Sequence, residues 1–599
     1  MKTNNLLVTT LLFFLTFWSC NDYLEMTPDE DLTIEDVFKS RLYSEQFLSN
    51  IYGMLRDEVV LNFYTGACDE MEVAYGPHYS HLISNGSWNA TNILDDWGDD
   101  YKAIRKCNIF LENVDKIPTD AATIANWKAE VHFLRAFYYF QIIRCYGPAV
   151  LIDKSVKTDD DFLGYTRAPI TQCVEFILND CDKAIEILKL KLPGSEFGRA
   201  SGGAAYALKS RALLYLASDW WNGNPDFAGF KNANNELLFP SYDLQRWKDA
   251  ADAALKCITE AEAAGYGLFK GYADPVENYQ RLFLDMDNIE WMFPRNVAFS
   301  QHFDRCCEPV SLGGFSIMNP TQELVDAYEM ADGNAPVLGY TVVNPATQEV
   351  KPIINPASAY VDEGFGAAAH PSGYYPVGVR NMYVGREPRF YASVNFCLQR
   401  WKTTSLYFWK TGKDGRDFAG SDYCKTGYLQ KKLVDPDFSI TPFRENRRSR
   451  IFFRLGEVYL NYAEALNEYQ GPVPDVYKYV NAIRNRAGLP NLPAGLTKEQ
   501  MQDKIRHERR IELVFEGHRF FDVRRWKIAP QTDDVWIHSM NILAGTNRTD
   551  DAFYRRIGIE KRIFVSPKHY LWPIPQYEID RNRKGIPQNP GWEESGEED

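Results

Sequence analysis

Ile124-Ala125-Asn126-Trp127-Lys128-Ala129-Glu130-Val131-His132-Phe133-Leu134-Arg135-Ala136-Phe137-Tyr138-Tyr139-Phe140-Gln141-Ile142-Ile143-Arg144-Cys145-Tyr146-Gly147-Pro148 reads as one long helix with a defined stop. Trp127, Val131, Leu134, Tyr138 and Ile142 recur every three or four positions, which places them on one helical face. Gly147-Pro148 ends the run, because glycine suits the residue after a helix and proline cannot continue one.

The same period extends outward on both sides. Toward the N-terminus, Trp97, Tyr101, Ile104 and Phe110 predict a helix over 94–114, and Val37, Phe38, Phe47, Leu48, Ile51 and Leu55 predict another over 35–56. Toward the C-terminus, Pro169 suits the first turn of a helix reaching Leu188, followed by helices over 201–221 and 244–264. Helix pairs at intervals of roughly thirty to fifty residues predict a degenerate tetratricopeptide-like stack. The repeat motif itself is not legible, so this rests on spacing. From about Gly265 to Asn446 the period collapses into Gly, Pro and Asn breaks with short apolar runs (Ile289–Phe293, Tyr391–Phe396), which reads as loops and short strands. Helices return over 450–469, 474–487 and 497–526, and a loop-rich tail follows. The fold class expected is mainly α: a helical scaffold carrying a large loop-rich region, and a loop insertion of that length is where function concentrates.

The N-terminus reads as a targeting signal. Lys2 precedes an apolar run from Leu6 to Trp18, too short to span a bilayer and of the length of a signal-peptide core. Ser19-Cys20 follows, then Asn21, Asp22 and Glu25, which resembles a bacterial lipobox. Residues 1–19 are read as the signal peptide, and Cys20 as the lipidated first residue holding the chain to a membrane.

A net charge of −15 argues against nucleic acid, since phosphate binding needs a basic surface to displace counterions. The cysteines after Cys20 are scattered, with no CxxC framework, and read as buried small hydrophobes rather than disulfides or metal ligands. No HExxH, GxSxG or phosphate-cradling glycine loop occurs. The acidic groups Asp95-Asp96, Asp99-Asp100 and Asp159–Asp161 read as solvated faces rather than a glycosidase pair, and Asp285-Met286-Asp287-Asn288 lacks the glycine and distal glutamate of a calcium loop. No metal or cofactor is expected.

Seven segments, in order, resemble the SusD/RagB family. They are Ala129–Phe140 with Tyr146-Gly147-Pro148, Ala200–Leu208, Arg454–Ala465, Val480–Leu489, Arg506–Leu513, Phe515–Trp526, and Pro573-Ile574-Pro575 with Glu578-Ile579 and Gln588–Trp592. Following the lipobox, they span nearly the whole chain. The resemblance implies a single domain over 20–599 with the SusD-like fold, its helical scaffold at 20–265 and 447–528 and its loop-rich part at 266–446 and 529–599. It also implies an outer-membrane lipoprotein at the surface of a Bacteroidetes-type bacterium, without catalytic activity. Its partner would be a TonB-dependent barrel of the SusC/RagA type, over which it sits as a lid. Its ligands would be oligosaccharides, with peptides in a minority.

The charges Arg506, Glu508, Arg509, Arg510, Glu512, Glu516 and Arg519 are spaced to satisfy one another on a half-buried helix and read as structural. For ligand contact, the candidates are loop aromatics outside any periodic stripe, because sugar C–H faces stack on such rings. Trp88 lies among Ser84, Asn85, Gly86 and Asn89, Tyr75 and Tyr79 flank Gly76-Pro77, and Trp221 ends a helix. Phe299, His302 and Phe303 follow a strand-like run, and Tyr374, Tyr375 and Tyr383 lie in the Gly-rich middle, with Asn296 and Arg305 as polar partners. The family resemblance favours Trp88 and the 299–303 stretch, because family members commonly build the site from these regions.

Overall fold

The computed structural model describes residues 33–56, 63–156, 164–286, 288–297, 301–445, 448–582 and 585–593. Cys20, Asp159–Asp161, Asp287 and Phe299 lie outside them.

The scaffold is built from α1 (Arg41–Gly53), α2 (Asp96–Asn113), α3 (Ala121–Tyr146), α4 (Ile170–Ile185), α5 (Gly202–Ala217), α6 (Gln245–Ala263), α7 (Leu455–Gln470), α8 (Pro474–Arg486) and α9 (Lys498–Glu512). Each of α2 to α7 packs on its successor, and α7 also holds α8 and α9. Strands are short: β1 (Met71–Val73), β2 (Trp291–Val297), β3 (Met318–Pro320), β4 (Val337–Asn344), β5 (Glu349–Ile354), β6 (Arg448–Arg454), β7 (Trp536–Met540) and β8 (Arg556–Lys561). The mainly α class with a loop-rich region is what the sequence predicts.

Local chemistry sets the helix ends. Asp120 caps α3 by accepting from the Thr123 N–H, and Gly147 closes it at a φ of +74°. The run predicted over 35–56 is broken because the Ser40 side chain caps a new helix, α1. The run predicted over 497–526 breaks after α9, whose Thr497 and Gln500 form a capping box, and resumes at Arg519–Arg525. At the head of α5, a Cβ on Gly203 would lie 2.8 Å from the Leu190 carbonyl, so only glycine lets α4's exit pass that close.

α3 is more than the amphipathic helix its stripe suggests. From Ala129 to Tyr146 every residue except His132 is buried, so it is the central post of the stack. Its polar groups are paired inside: Arg135 makes a bidentate contact with Asp180 at 2.7 and 2.9 Å, and Glu130 accepts from Tyr52 and Arg199.

The loop-rich part leaves the scaffold on β2 and returns on β6. These strands pair antiparallel (Trp291 with Arg454, Arg295 with Arg450), and Phe293, Phe452 and Phe453 plug the ribbon against Phe137 of α3. α6 and α7 stay in contact across this excursion. The excursion has a core of its own around Phe303, Tyr328, Tyr383, Phe390, Phe396, Leu406 and Phe408, joined by Met540 and Phe553 from the tail. A four-stranded sheet ordered β7-β8-β5-β4 binds tail to excursion.

A buried ion-pair network clamps the two parts. Arg389 reaches Glu387, Glu508 and Glu512 at 2.6–3.0 Å. Arg454 reaches Glu290, Glu512 and Glu516 at 2.8 Å, and Lys432 meets Glu516 at 2.8 Å. Although buried, the Glu512 carboxyl is held well below the usual carboxylate range by Arg486, Arg454 and Arg389.

Candidate ligand-binding face

β1 and β3 bring the first loop to the excursion. Met71, Glu72 and Val73 pair with Pro320, Asn319 and Met318, and the ladder continues irregularly. The Ala74 N–H donates to the Ile317 carbonyl at 2.8 Å, Ile317 to Cys306 at 2.7 Å, and Phe315 to Arg305 at 2.7 Å. The Tyr75–Tyr79 loop, the 315–317 segment and the short helix Gln301–Cys307 therefore lie side by side. Tyr75 and Tyr79 are 54% and 48% exposed, large values for rings of that size. His302 is exposed, and Arg305 lays its guanidinium 4.1 Å above the Phe315 ring.

A chain of contacts extends this face. Glu308, at the end of the same helical segment, accepts from the Trp401 indole at 3.0 Å and pairs with Lys402 at 2.5 Å; burial pushes its carboxyl up. The Lys431 amine sits 5.3 Å from the Trp401 ring and 5.5 Å from Tyr374, and burial pushes it down to about 7. Tyr374 is half-buried, donates its hydroxyl to Asp274 at 2.8 Å and stacks on Tyr391.

Five of the sequence candidates are corrected. Trp88 is 1% exposed, enclosed by Trp592, His569 and Trp572 at centroid distances of 4.8, 5.2 and 6.2 Å. Trp221 is buried beside Trp220 and Tyr215 on the scaffold. Phe303 is buried under Arg450, and Tyr375 is buried against Tyr391. Tyr383 is core as well. None of these rings can stack on a ligand where it stands. Trp88 was open to ligand in the sequence because the segments that cover it, around Trp572 and Trp592, come from hundreds of residues away.

The sequence reading also missed a platform. Over Leu406-Tyr407-Phe408-Trp409 the even positions are buried and the odd ones half-exposed, so Tyr407 and Trp409 share the outward side. Their rings stack at 4.8 Å and 25°, with the Lys413 amine 5.2 Å from Tyr407. A tight turn holds them: a Cβ on Gly415 would lie 1.9 Å from the Trp409 carbonyl. Phe418, 64% exposed, follows in the next helical turn. Period-two alternation was the signal available.

The described acidic candidates are committed to neighbours. Asp95 caps α2 and accepts from Tyr577, Asp96 and Asp100 face Arg56, Asp99 pairs with Lys102, and Asp285 accepts from Tyr272. Elsewhere, a cavity of about 970 Å³ between α2 and the C-terminal segment is lined by Trp97, Tyr101, Ile152, Tyr165, Tyr577 and Ile586. None of the candidate loop aromatics lines it, and of the acidic candidates Asp95 does.

The folded arrangement has relatives. The family described as "SusD family" matches residues 279–592, and a second, described as "Starch-binding associating with outer membrane", matches residues 22–216. The chain belongs to the SusD family. SusD-like protein P25 of Formosa agariphila is 23% identical over 97% of both chains. Starch-binding protein SusD of Bacteroides thetaiotaomicron is 22% identical over 85% of this chain and 81% of its own. Among solved structures, a SusD-like protein from Bacteroides fragilis is 27% identical, covers 93% of this chain and 98% of its own, and superposes with a TM-score of 0.73. The helical scaffold and its excursion are thus the SusD-like fold. The family is associated with glycan binding and the outer membrane, and among the described residues no helix is long and apolar enough to cross a membrane.

Proposed function

We propose that this protein is a non-catalytic glycan receptor at the outer-membrane surface, held by lipid on Cys20. It captures oligosaccharides and passes them to a TonB-dependent SusC-like transporter. The observation that carries this reading is the set of outward aromatics on one folded part of a SusD-family chain: Tyr75 and Tyr79 beside His302 and Arg305, and the Tyr407–Trp409 stack. Flat rings cover the apolar face of a sugar while Arg305, Lys413 and His302 bond its hydroxyls. The non-catalytic part is supported by the acidic candidates Asp95, Asp96, Asp99, Asp100 and Asp285, which are committed to a cap, tyrosines, Arg56 and Lys102 rather than matched as an acid and base.

The test is binding of the chain from residue 21 onward to an array of plant, host and microbial glycans, beside Tyr79→Ala and Trp409→Ala. Saturable binding to one glycan class, weakened in a variant that stays folded, supports the reading. Silence on glycans with binding to peptides favours the peptide receptors of the RagB branch, and release of cleaved products overturns the non-catalytic assignment.

A further inference from the structure

Beneath the loop that presents Tyr75 and Tyr79 lies a donor cluster that the ligand face does not use. Glu72 on β1, His81 in the helical turn Ser80–Ser84 and Glu560 on β8 converge there. One donor atom from each lies within 4.8 Å of the other two, and all three side chains are half-buried. The His81 Nε2 is 3.2 Å from the Tyr75 carbonyl. A carbonyl only accepts, so Nε2 carries the proton and the neutral ring keeps its Nδ1 lone pair. That Nδ1 faces a Glu72 oxygen at 3.9 Å. A lone pair turned toward one carboxylate, with a second beside it, is unfavourable unless a proton or a cation lies between them.

Among the described residues, an arginine faces the cluster. The Arg562 guanidinium lies 3.5 Å from Glu72 and 3.4 Å from Glu560, but it also donates to the Cys68 and Met71 carbonyls. It is anchored and offsets one carboxylate of the two. The other neighbour is His78, whose ring is 6.5 Å from that of His81 and whose Nδ1 bonds the Ser80 hydroxyl at 2.7 Å.

We propose that Glu72, His81 and Glu560 bind a divalent transition cation of the zinc class. One imidazole with two carboxylates is a zinc-type donor set, and a ligating histidine whose other nitrogen donates to a backbone carbonyl has its ring and tautomer fixed for the metal. Ligands about 2.0–2.1 Å from zinc stand roughly 3.3 Å apart, so closing the set needs a contraction of about 1.5 Å at most, within side-chain reach. Water fills the fourth position. The ion would pin the Tyr75–Tyr79 loop to β8 and stiffen one edge of the ligand face.

The experiment reads metal rather than sugar, so its failure leaves the glycan reading standing. Untagged, chelator-treated protein from residue 21 onward is titrated with zinc, calcium or magnesium by calorimetry, with bound metal measured after dialysis. The expected result is one zinc per chain, weakened by about tenfold or more in His81→Ala and in Glu560→Gln. Circular dichroism without metal should match the wild type. Should His81→Ala fail to fold, Glu560→Gln decides alone, because glutamine keeps the shape of that half-buried side chain and removes only its charge. In addition, zinc should slow proteolysis within 74–87 in the wild type and not in the variants. Absence of stoichiometric zinc, preference for calcium, or equal zinc binding by wild type and Glu560→Gln overturns the proposal.

Discussion

The scaffold and the excursion both bury many large rings, by different means. In α3, Phe133, Phe137 and Phe140 are inside because a helix of that composition has neighbours on every side. In the excursion, Tyr383, Phe390 and Phe396 are inside because chain turns converge from several directions and the Arg389–Glu512–Arg454 clamp holds the whole against the scaffold. Scaffold packing is local and repeated, so any one contact has substitutes. The excursion depends on a few long-range polar contacts, and in return it turns some rings outward. That trade gives a repetitive support and an exposed aromatic surface, the one proposed above for ligand.

The largest test of this contrast is Glu512→Ala. It removes from the interior a carboxylate shared by Arg389, Arg454 and Arg486, leaving them Glu387, Glu508, Glu290 and Glu516, and unfolding in urea should show a loss of about 3–5 kcal/mol. A loss below about 1 kcal/mol would mean that the clamp relaxes and that the excursion's own core suffices. Next is Trp88→Ala, which empties a site enclosed by Trp572, Trp592 and His569 and should cost about 3–4 kcal/mol. Tyr79→Ala, in the same loop but exposed, should stay within about 0.5 kcal/mol. If the two losses were equal, the division of that loop into core and face would be wrong.

Lys431 sharpens the contrast through pH. Its amine is pushed down to about 7 by burial. Below that pH, folded and unfolded chains both carry the charge, and burial of the ammonium costs stability. Above it the folded chain is neutral while the unfolded amine stays protonated to about 10.4, so stability rises with pH across that window. Wild type minus Lys431→Met should show this rise, at no more than about 1.4 kcal/mol per pH unit. A flat difference would place the amine in contact with water. The smallest effect is on binding. Trp409→Ala should weaken a bound glycan by about 1 kcal/mol, roughly fivefold, with the fold intact, as isothermal titration would show. An unchanged affinity would remove the Tyr407–Trp409 stack from the site.

Much of the scaffold was legible because its signal is local. The α3 period, the Gly147-Pro148 stop and the charges spaced along α9 each report geometry within a few residues. The helix breaks at Ser40 and after Glu512 were missed because a capping side chain and a turn interrupt an apolar rhythm without erasing it. Tyr75, Tyr79 and His302, singled out as loop residues with no stripe to join, are exposed. Tyr407 and Trp409 were missed although their alternation with Leu406 and Phe408 was visible.

By itself, then, the sequence determined the helical scaffold, the position of the loop-rich insertion and the family, since each rests on periodicity or on motifs in a fixed order. Only the tertiary structure decided which aromatics face outward. Trp88 and Tyr79 look alike in sequence, and Trp88 is buried because Trp572 and Trp592 arrive from the far end of the chain. The grouping of Glu72, His81 and Glu560 is of the same kind. Burial and convergence depend on partners remote in sequence, and spacing along the chain does not encode them.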